Sequence, residues 1–293
     1  MIKIAMSVVM NTGHKIPLIG LGTFKIKGSD LVATVLEAAI SSGYRAIDTA
    51  SVYKNEADIG RNLKEILPKY DLKRKDIFIT SKLGPKDHGK DKCRASCLKS
   101  IEVLQCDYLD LYLIHWPGGQ GLQPSDTRHK DLRRESWQAM EQLYNEGKIK
   151  NIGVSNYLQR HIEELLEYCT IPPAVLQIEF HPHLQQKPLI EFCQEKNIFF
   201  QAYSSLGTSD DNNKLLTDEV VITISKKLQK TPAQVLLRWA IQQNIGVIPK
   251  STNSQHIDEN QKITNFSLSS EDMNSLNNLE SSTHYCWNPE CVL

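Results

Sequence analysis

The sequence predicts an α/β protein folded as a (β/α)8 TIM barrel, with an N-terminal β-hairpin and an extra C-terminal helix. Short apolar segments of strand character alternate with longer segments of helical periodicity. The alternation repeats eight times within 293 residues, and no linker or low-complexity stretch interrupts it. Strands that alternate with helices form parallel sheets, and eight such units match the size of a closed barrel. We therefore predict a single domain over residues 1–293.

The elements can be placed in order along the chain. Two short apolar pieces in SVVMNTGHKIP flank Asn-Thr-Gly and predict the hairpin. Barrel strands are predicted at 18–23, 44–48, 77–82, 108–115, 150–154, 175–179, 198–203 and 246–249. Helices are predicted at 30–42, 55–68, 89–105, 133–147, 158–169, 187–196, 215–229 with 232–243, and 255–262. The segment SSEDMNSLNNLE predicts the last helix.

An open, doubly wound sheet is the main competing fold. Such a sheet usually carries the pattern GxGxxG after its first strand, where a helix N-terminus receives the phosphates of a dinucleotide. Here the sequence reads GLGTFK, and Lys25 occupies the place of the third glycine. The barrel is therefore favoured.

The composition excludes several classes of protein. Thirty-four basic and 34 acidic residues give a net charge of zero, so no long-range field attracts nucleic acid or an anionic membrane. The chain shows no signal peptide and no apolar run of about 18 residues, which predicts a soluble, cytoplasmic protein. Seven scattered cysteines predict reduced thiols and no metal site. We expect a monomer without an obligate protein partner.

Three ionisable residues end successive predicted strands: Asp48, Lys82 and His115. The carboxyl ends of barrel strands surround one site, so these side chains are expected to converge, with Tyr53 in the loop after Asp48. Taken alone, the aspartate is more often a helix cap, and the histidine and lysine are more often structural or solvated. Their convergence favours a site.

The four side chains also form a chemically coherent set. A tyrosine hydroxyl, with a pKa near 10, is a weak proton donor at neutral pH. A lysine ammonium beside Tyr53 is expected to lower that pKa, and Asp48 is expected to hold the ammonium in place. A neutral His115 can orient a substrate oxygen. None of them can release a hydride, so a redox cofactor is required.

Eight stretches of the chain resemble the aldo-keto reductase superfamily, in order and over almost its whole length. They read GLGTFK, GYRAIDTASVYKNE, ITSKL, YLDLYLIHWP, GKIKNIGVSNY, LQIEFHP, AYSSLG and VIPKS. The resemblance is greatest to the branch of glyoxal and methylglyoxal reductases and prostaglandin F synthases. It implies reduction of aldehydes and some ketones with NADPH, which this family binds without a Rossmann motif.

The resemblance also implies roles for individual residues. Asp48, Tyr53, Lys82 and His115 match the catalytic tetrad of the family, with Tyr53 as the general acid. Tyr203 would stack on the nicotinamide, and Asp210 would match the loop over the pyrophosphate. The cofactor is expected to contact Gly22, Thr23, Ser155, Asn156, Gln177, Tyr203, Ser204, Leu206, Asp210, Lys250, Ser251, His256, Glu259 and Asn260.

Three departures from the family pattern bear on specificity. His256 stands where the family usually has an arginine at the adenosine 2′-phosphate, and a histidine lacks the permanent charge and the fork of an arginine. We expect a weakened preference for NADPH, with use of NADH as well. The tail and the loop after the seventh strand are short, so the substrate pocket is expected to be shallow and open. Its predicted lining is Phe24, Val52, Trp116 and Trp287, although the aromatic residues could instead belong to the core.

Two other functions fit parts of the sequence. A catalytically silent, NADPH-binding barrel could serve as a regulatory or binding subunit, but it would not need a tuned tyrosine. A metallohydrolase would need metal ligands, and His181-Pro182-His183 is the single HxH of the chain. This motif lies after the sixth strand, without the bridging carboxylate and lysine, so a structural role is favoured.

Overall fold

The N-terminal hairpin closes the bottom of the barrel. In the computed structural model, which describes residues 7–208 and 214–293, strands β1 (Ser7–Val9) and β2 (Lys15–Pro17) pair antiparallel. The Asn11 side chain donates to Pro173 O at 3.0 Å, and Pro173 lies in the loop just before the barrel strand that begins at Val175. The predicted hairpin is therefore confirmed.

Eight parallel strands form the barrel, and each pairs with the next along the chain. Ile19 bridges to Val247, and the amide of Gly22 donates to Pro249 O at 3.0 Å, so the last strand also meets the first. A Cβ on Gly22 would lie 2.6 Å from Ile248 O, which makes a glycine necessary at this closure. The strands are β3 (Leu21–Gly22), β4 (Ala46–Asp48), β5 (Phe78–Leu83), β6 (Leu111–Ile114), β7 (Ile152–Ser155), β8 (Val175–Glu179), β9 (Phe199–Tyr203) and β10 (Gly246–Val247).

Helices follow the strands and cover the outside of the barrel. They are α1 (Ser29–Ser41), α2 (Glu56–Ile66), α3 (Lys90–Val103), α4 (Arg128–Asn145), α5 (Gln159–Tyr168), α6 (Lys187–Glu195), α7 (Glu219–Leu228), α8 (Pro232–Gln242), α9 (Ser254–Gln261) and α10 (Ser270–Asn277). In the described part of the chain, no helix is long and apolar enough to cross a membrane. The predicted (β/α)8 fold with an additional last helix is confirmed.

Helix α4 differs from its prediction. It begins at Arg128 rather than at 133, so residues 128–132, which precede the predicted helix, are helical as well. The first turns of this helix bury His129 and Arg133, which are 2% and 1% exposed. Because polar side chains occupy the buried face, the hydrophobic period that marks a helix is absent there.

Candidate active site

Asp48 and Lys82 form a buried ion pair at the carboxyl ends of neighbouring strands. The side chain of Lys82 is fully buried and that of Asp48 is 5% exposed. Lys82 Nζ donates to Asp48 Oδ1 and, at 3.0 Å, to Thr49 O. Burial lowers the pKa of Lys82, and the charge of Asp48 opposes that shift. Helix α2 begins only at Glu56, so Asp48 does not cap it.

Tyr53 lies above this pair, at the end of a 3-10 turn over Ser51–Tyr53. Lys82 Nζ is 5.2 Å from the centroid of the Tyr53 ring. Burial raises the pKa of Tyr53 well above its ordinary value, and Asp48 and Cys286 raise it further. The expected lowering by Lys82 is therefore wrong, because the ion pair with Asp48 offsets the lysine charge and the phenol is desolvated. Tyr53 carries its proton at neutral pH.

His115 follows β6 and faces Tyr53 edge to face, with ring centroids 5.7 Å apart. The residue is 8% exposed, and its Nδ1 is buried without a hydrogen-bond partner. Burial, assisted by the charge of Lys82, lowers the pKa of His115 to about 3. The imidazole is therefore neutral, as the sequence suggested, and can donate one hydrogen bond to an oxygen in the cavity.

A connected group of polar side chains extends from these residues along the strand ends. Asn156 Nδ2 donates to His115 O at 2.9 Å and to Ser155 Oγ at 3.1 Å, and Tyr203 donates to Asn156 Oδ1 at 2.6 Å. Gln177 Nε2 donates to Asp48 Oδ2 at 2.8 Å. These hydrogen bonds therefore join the residues predicted to hold the nicotinamide to Asp48 and to the backbone of His115.

A cavity of about 850 Å³ opens above this network. The residues predicted to be catalytic or to contact cofactor or substrate that line this cavity are Gly22, Thr23, Phe24, Asp48, Val52, Tyr53, His115, Trp116, Ser155, Asn156, Gln177, Tyr203, Ser204, Leu206, Lys250, Ser251, His256, Glu259, Asn260 and Trp287. Lys82 lies behind its wall, and Asp210 lies outside the described residues. Twenty predicted residues thus share one cavity although they come from all parts of the barrel.

The predicted substrate residues form an aromatic wall around Tyr53. Phe24 is 55% exposed, and its ring centroid is 5.1 Å from that of Tyr53. Trp116 and Trp287 meet edge to face at 4.5 Å. Phe24 therefore lines the cavity rather than packing in the core. The cavity also includes the residues predicted to bind the cofactor, so its volume does not measure the substrate part, and the shallow, open substrate pocket stays a prediction.

Several lining residues were missed by the sequence reasoning. Thr231, Pro232 and Ala233 begin helix α8, and Tyr285 and Cys286 belong to the tail. The tail lacks the hydrophobic periodicity of a helix or a strand, so its sequence does not indicate that Tyr285 and Cys286 line the cavity. Thr231-Pro232 is a recognisable pattern for the start of a helix, and it could have placed Thr231, Pro232 and Ala233 at a helix N-terminus.

The HxH motif supports the tail. His181 Nε2 lies 3.1 Å from Glu179 Oε1, and His183 Nδ1 lies 3.0 Å from the hydroxyl of Tyr285. Among residues 7–208 and 214–293, no group of three or more His, Cys, Asp or Glu side chains could hold a metal ion. The two histidines have structural partners.

Fold and site together define a (β/α)8 barrel in which a tyrosine, a histidine and a buried Asp–Lys ion pair meet at one cavity. The chain belongs to the Aldo/keto reductase family, whose model matches residues 18–281. Glyoxal reductase of Bacillus subtilis is 42% identical over 287 residues, which cover 98% of this chain and 97% of that protein. Aldose reductase B of Dictyostelium discoideum is also 42% identical over 287 residues, covering 93% and 92%.

Solved structures agree with this assignment. An aldo-keto reductase, MGS-M4, from a Medee basin deep-sea metagenome library superposes with a TM-score of 0.87 at 39% identity, covering 95% of this chain and 96% of that one. The aldose reductase of Schistosoma japonicum gives a TM-score of 0.85 at 39% identity, covering 95% and 93%. The chain is thus an oxidoreductase that acts on carbonyl groups with a nicotinamide cofactor.

Proposed function

We propose that this protein is an NADPH-dependent carbonyl reductase that converts aldehydes and some ketones to alcohols, with Tyr53 as the proton donor. The convergence of Asp48, Tyr53, Lys82 and His115 at one end of a single cavity carries the proposal. Similarity to proteins named glyoxal reductase and aldose reductase supports the choice of aldehydes.

The residues around the cavity fit a nicotinamide dinucleotide. Gln177 Nε2 donates both to Asp48 and, at 2.9 Å, to Gln201 Oε1, so its Oε1 is left to accept from a carboxamide N–H. Ser155 has a hydroxyl proton to donate to the carboxamide oxygen. Lys250 and His256 line the same cavity and suit the phosphate of the adenosine. Polar groups for both ends of the cofactor are therefore present.

Side chains of the protein would donate the proton and stabilise the negative charge that develops on the carbonyl oxygen. The hydride for the carbonyl carbon would come from NADPH when it is bound. The neutral imidazole of His115 would donate a hydrogen bond to the carbonyl oxygen and orient it beside Tyr53. As negative charge develops on that oxygen, the Tyr53 hydroxyl transfers its proton, and the alcohol forms. Lys82, which Asp48 holds 5.2 Å from the centroid of the Tyr53 ring, would lie beside the phenolate until it is reprotonated.

We further propose that NADPH is preferred over NADH, but by a smaller margin than in relatives with an arginine at the 2′-phosphate. Lys250 lines the cavity and offers a permanent positive charge. His256 also lines it, but a histidine is mostly neutral at pH 7 and donates at a single point. The chain is also proposed to act on small molecules as a cytoplasmic monomer of 33.3 kDa, without an obligate protein partner.

Steady-state kinetics test these proposals. Methylglyoxal, p-nitrobenzaldehyde and phenanthrenequinone are each assayed by the consumption of NADPH and of NADH. We expect turnover with both cofactors and a higher kcat/KM with NADPH. A higher kcat/KM with NADH would overturn the cofactor preference. Tight binding of NADPH without turnover of any carbonyl would instead indicate the silent, cofactor-binding barrel.

A further inference from the structure

Glu179, at the end of β8, joins the barrel to the tail of the chain. Its side chain is 2% exposed. The carboxylate accepts the backbone N–H of Tyr285 at 2.7 Å and that of Cys286 at 3.2 Å. His181 Nε2 contacts the same group at 3.1 Å, and His284 Nδ1 lies 3.4 Å from it. All four contacts converge on one buried carboxylate.

This carboxylate is charged at neutral pH. Burial acts to raise the pKa of Glu179, but the bonds from His181 and from the Tyr285 amide outweigh it and hold the pKa below its usual value. An ionised acceptor makes stronger hydrogen bonds to backbone amides than a neutral one. The backbone at Tyr285 and Cys286 is therefore firmly tied to the mouth of the barrel.

The tied backbone carries the next residue, Trp287, into the cavity wall. Its ring meets Trp116 edge to face at 4.5 Å, and Trp116 directly follows His115. Trp287 is nevertheless 49% exposed, so the surrounding side chains cover only half of it. The position of its ring depends on the backbone just before it, which Glu179 holds.

The far end of the tail is fastened separately. Arginine side chains from α4 and α5 donate to backbone carbonyls beyond Trp287: Arg160 to Glu290 O at 2.6 Å and to Val292 O at 2.9 Å, and Arg133 to Leu293 O at 2.6 Å. Trp287 thus lies between two points of attachment. On the side before Trp287, the side chains of Tyr285 and Cys286 also contact His183 at 3.0 Å and Ser204 at 3.2 Å. Loss of the Glu179 bonds would therefore loosen the backbone before Trp287 without detaching the tail.

We propose that Glu179 is a positioning residue for substrate selectivity, which fixes Trp287 as one wall of the carbonyl pocket. The inference rests on the proposed reductase function and adds that Glu179 raises its selectivity for aromatic over small aldehydes. An aromatic aldehyde with its carbonyl beside Tyr53 and His115 can pack against the tryptophan pair, and such ring contacts favour binding. A small aldehyde such as methylglyoxal has no ring to pack against this wall.

The first test follows the tail itself and needs no turnover. Hydrogen exchange is measured at the amides of Tyr285 and Cys286 in Glu179→Gln. A neutral amide accepts less strongly and presents its NH2 to the incoming N–H groups, so exchange should accelerate by about tenfold or more.

The second test measures selectivity as the ratio of kcat/KM for p-nitrobenzaldehyde to that for methylglyoxal. Glu179→Gln should lower this ratio about five- to tenfold, with methylglyoxal changed by no more than about twofold. Trp287→Ala should lower it similarly. If Glu179 acts through Trp287, adding Glu179→Gln to Trp287→Ala should produce no further change in the ratio.

Glu141→Gln is the matched control. Glu141 is a 7% exposed carboxylate on α4 that also accepts two backbone amides, from Thr170 at 2.6 Å and Ile171 at 2.8 Å. It lies outside the cavity, so its replacement should leave both the ratio and the exchange of the tail unchanged.

The outcomes separate the two proposals. Unchanged exchange at Tyr285 and Cys286 in Glu179→Gln would contradict the inference alone. The inference would also be contradicted if the kcat/KM ratio of Glu179→Gln stayed constant while its exchange accelerated. It would be contradicted equally if the ratio fell as much in Glu141→Gln as in Glu179→Gln. Absence of any carbonyl reduction by the unmodified protein would contradict the proposed function, whatever the exchange shows.

Discussion

Replacement of Asp48 by asparagine should destabilise the protein strongly and change how its stability depends on pH. Lys82 is fully buried, and Asp48 is its ion-pair partner. Removing one partner of a buried pair typically costs about 3–5 kcal/mol of unfolding free energy, because the other charge stays buried without compensation. The lysine can escape this cost by releasing its proton. Neutralising a lysine of ordinary pKa at pH 7 costs at most about 4.6 kcal/mol, which agrees with that range.

The sign of the pH effect follows from proton counting. Burial already lowers the pKa of Lys82, and Asp48 opposes the shift, so its removal lowers the pKa further. Between pH 7 and 10 the unfolded chain then binds a proton at this lysine that the folded chain does not. Stability of Asp48→Asn should therefore rise with pH, relative to the unmodified protein, by up to about 1.4 kcal/mol per pH unit.

Urea unfolding at pH 7, 8 and 9 measures both effects. Glu102→Gln serves as the control, because its pair with Lys99 is exposed, at 70% and 64%, and should contribute under about 1 kcal/mol. The double variant Asp48→Asn/Lys82→Met should recover part of the loss, since no uncompensated charge remains. A loss below about 1 kcal/mol for Asp48→Asn, with an unchanged pH slope, would refute the reasoning.

Three further predictions concern the surroundings of the site. The buried amide of Asn55 donates to two backbone carbonyls of the first βα loop and accepts from Thr49. Asn55→Ala removes these bonds, so the free energy of unfolding in urea should fall by about 2–4 kcal/mol. A fall of less than about 0.5 kcal/mol would contradict this. The pKa of His115 is about 3 in the folded protein, so only the unfolded chain binds a proton there near pH 5, and stability falls as pH drops below about 6.5. His115→Asn should make that decline shallower by about 1.4 kcal/mol per pH unit, and equal slopes would refute it. His256→Arg should raise the NADPH-to-NADH ratio of kcat/KM about tenfold, and an unchanged ratio would show that His256 does not meet the 2′-phosphate.

The barrel and the centre of its site were predictable because short-range patterns determine them. Each strand is an apolar run, and a parallel sheet brings the carboxyl ends of its strands to one edge. Asp48, Lys82 and His115 therefore had to meet once the eight strands were recognised.

Other features depend on contacts that no local pattern encodes. Glu179 and Tyr285 are 106 residues apart in sequence, and the tail between α10 and the last residue has no regular period. The start of α4 was missed because its inward face carries His129 and Arg133. The pKa of Tyr53 was predicted in the wrong direction because burial, which the sequence does not give at one residue, outweighs the neighbouring lysine.

The role of Tyr53 as the proton donor is the central claim, and Tyr53→Phe tests it most directly. The substitution removes the hydroxyl and keeps the ring that packs against Phe24 and His115. NADPH affinity, measured by titration, should stay within about twofold, while kcat for p-nitrobenzaldehyde should fall by about 10²–10⁴. Thermal unfolding verifies that the variant is folded. Retention of more than about a tenth of the unmodified rate would contradict the account.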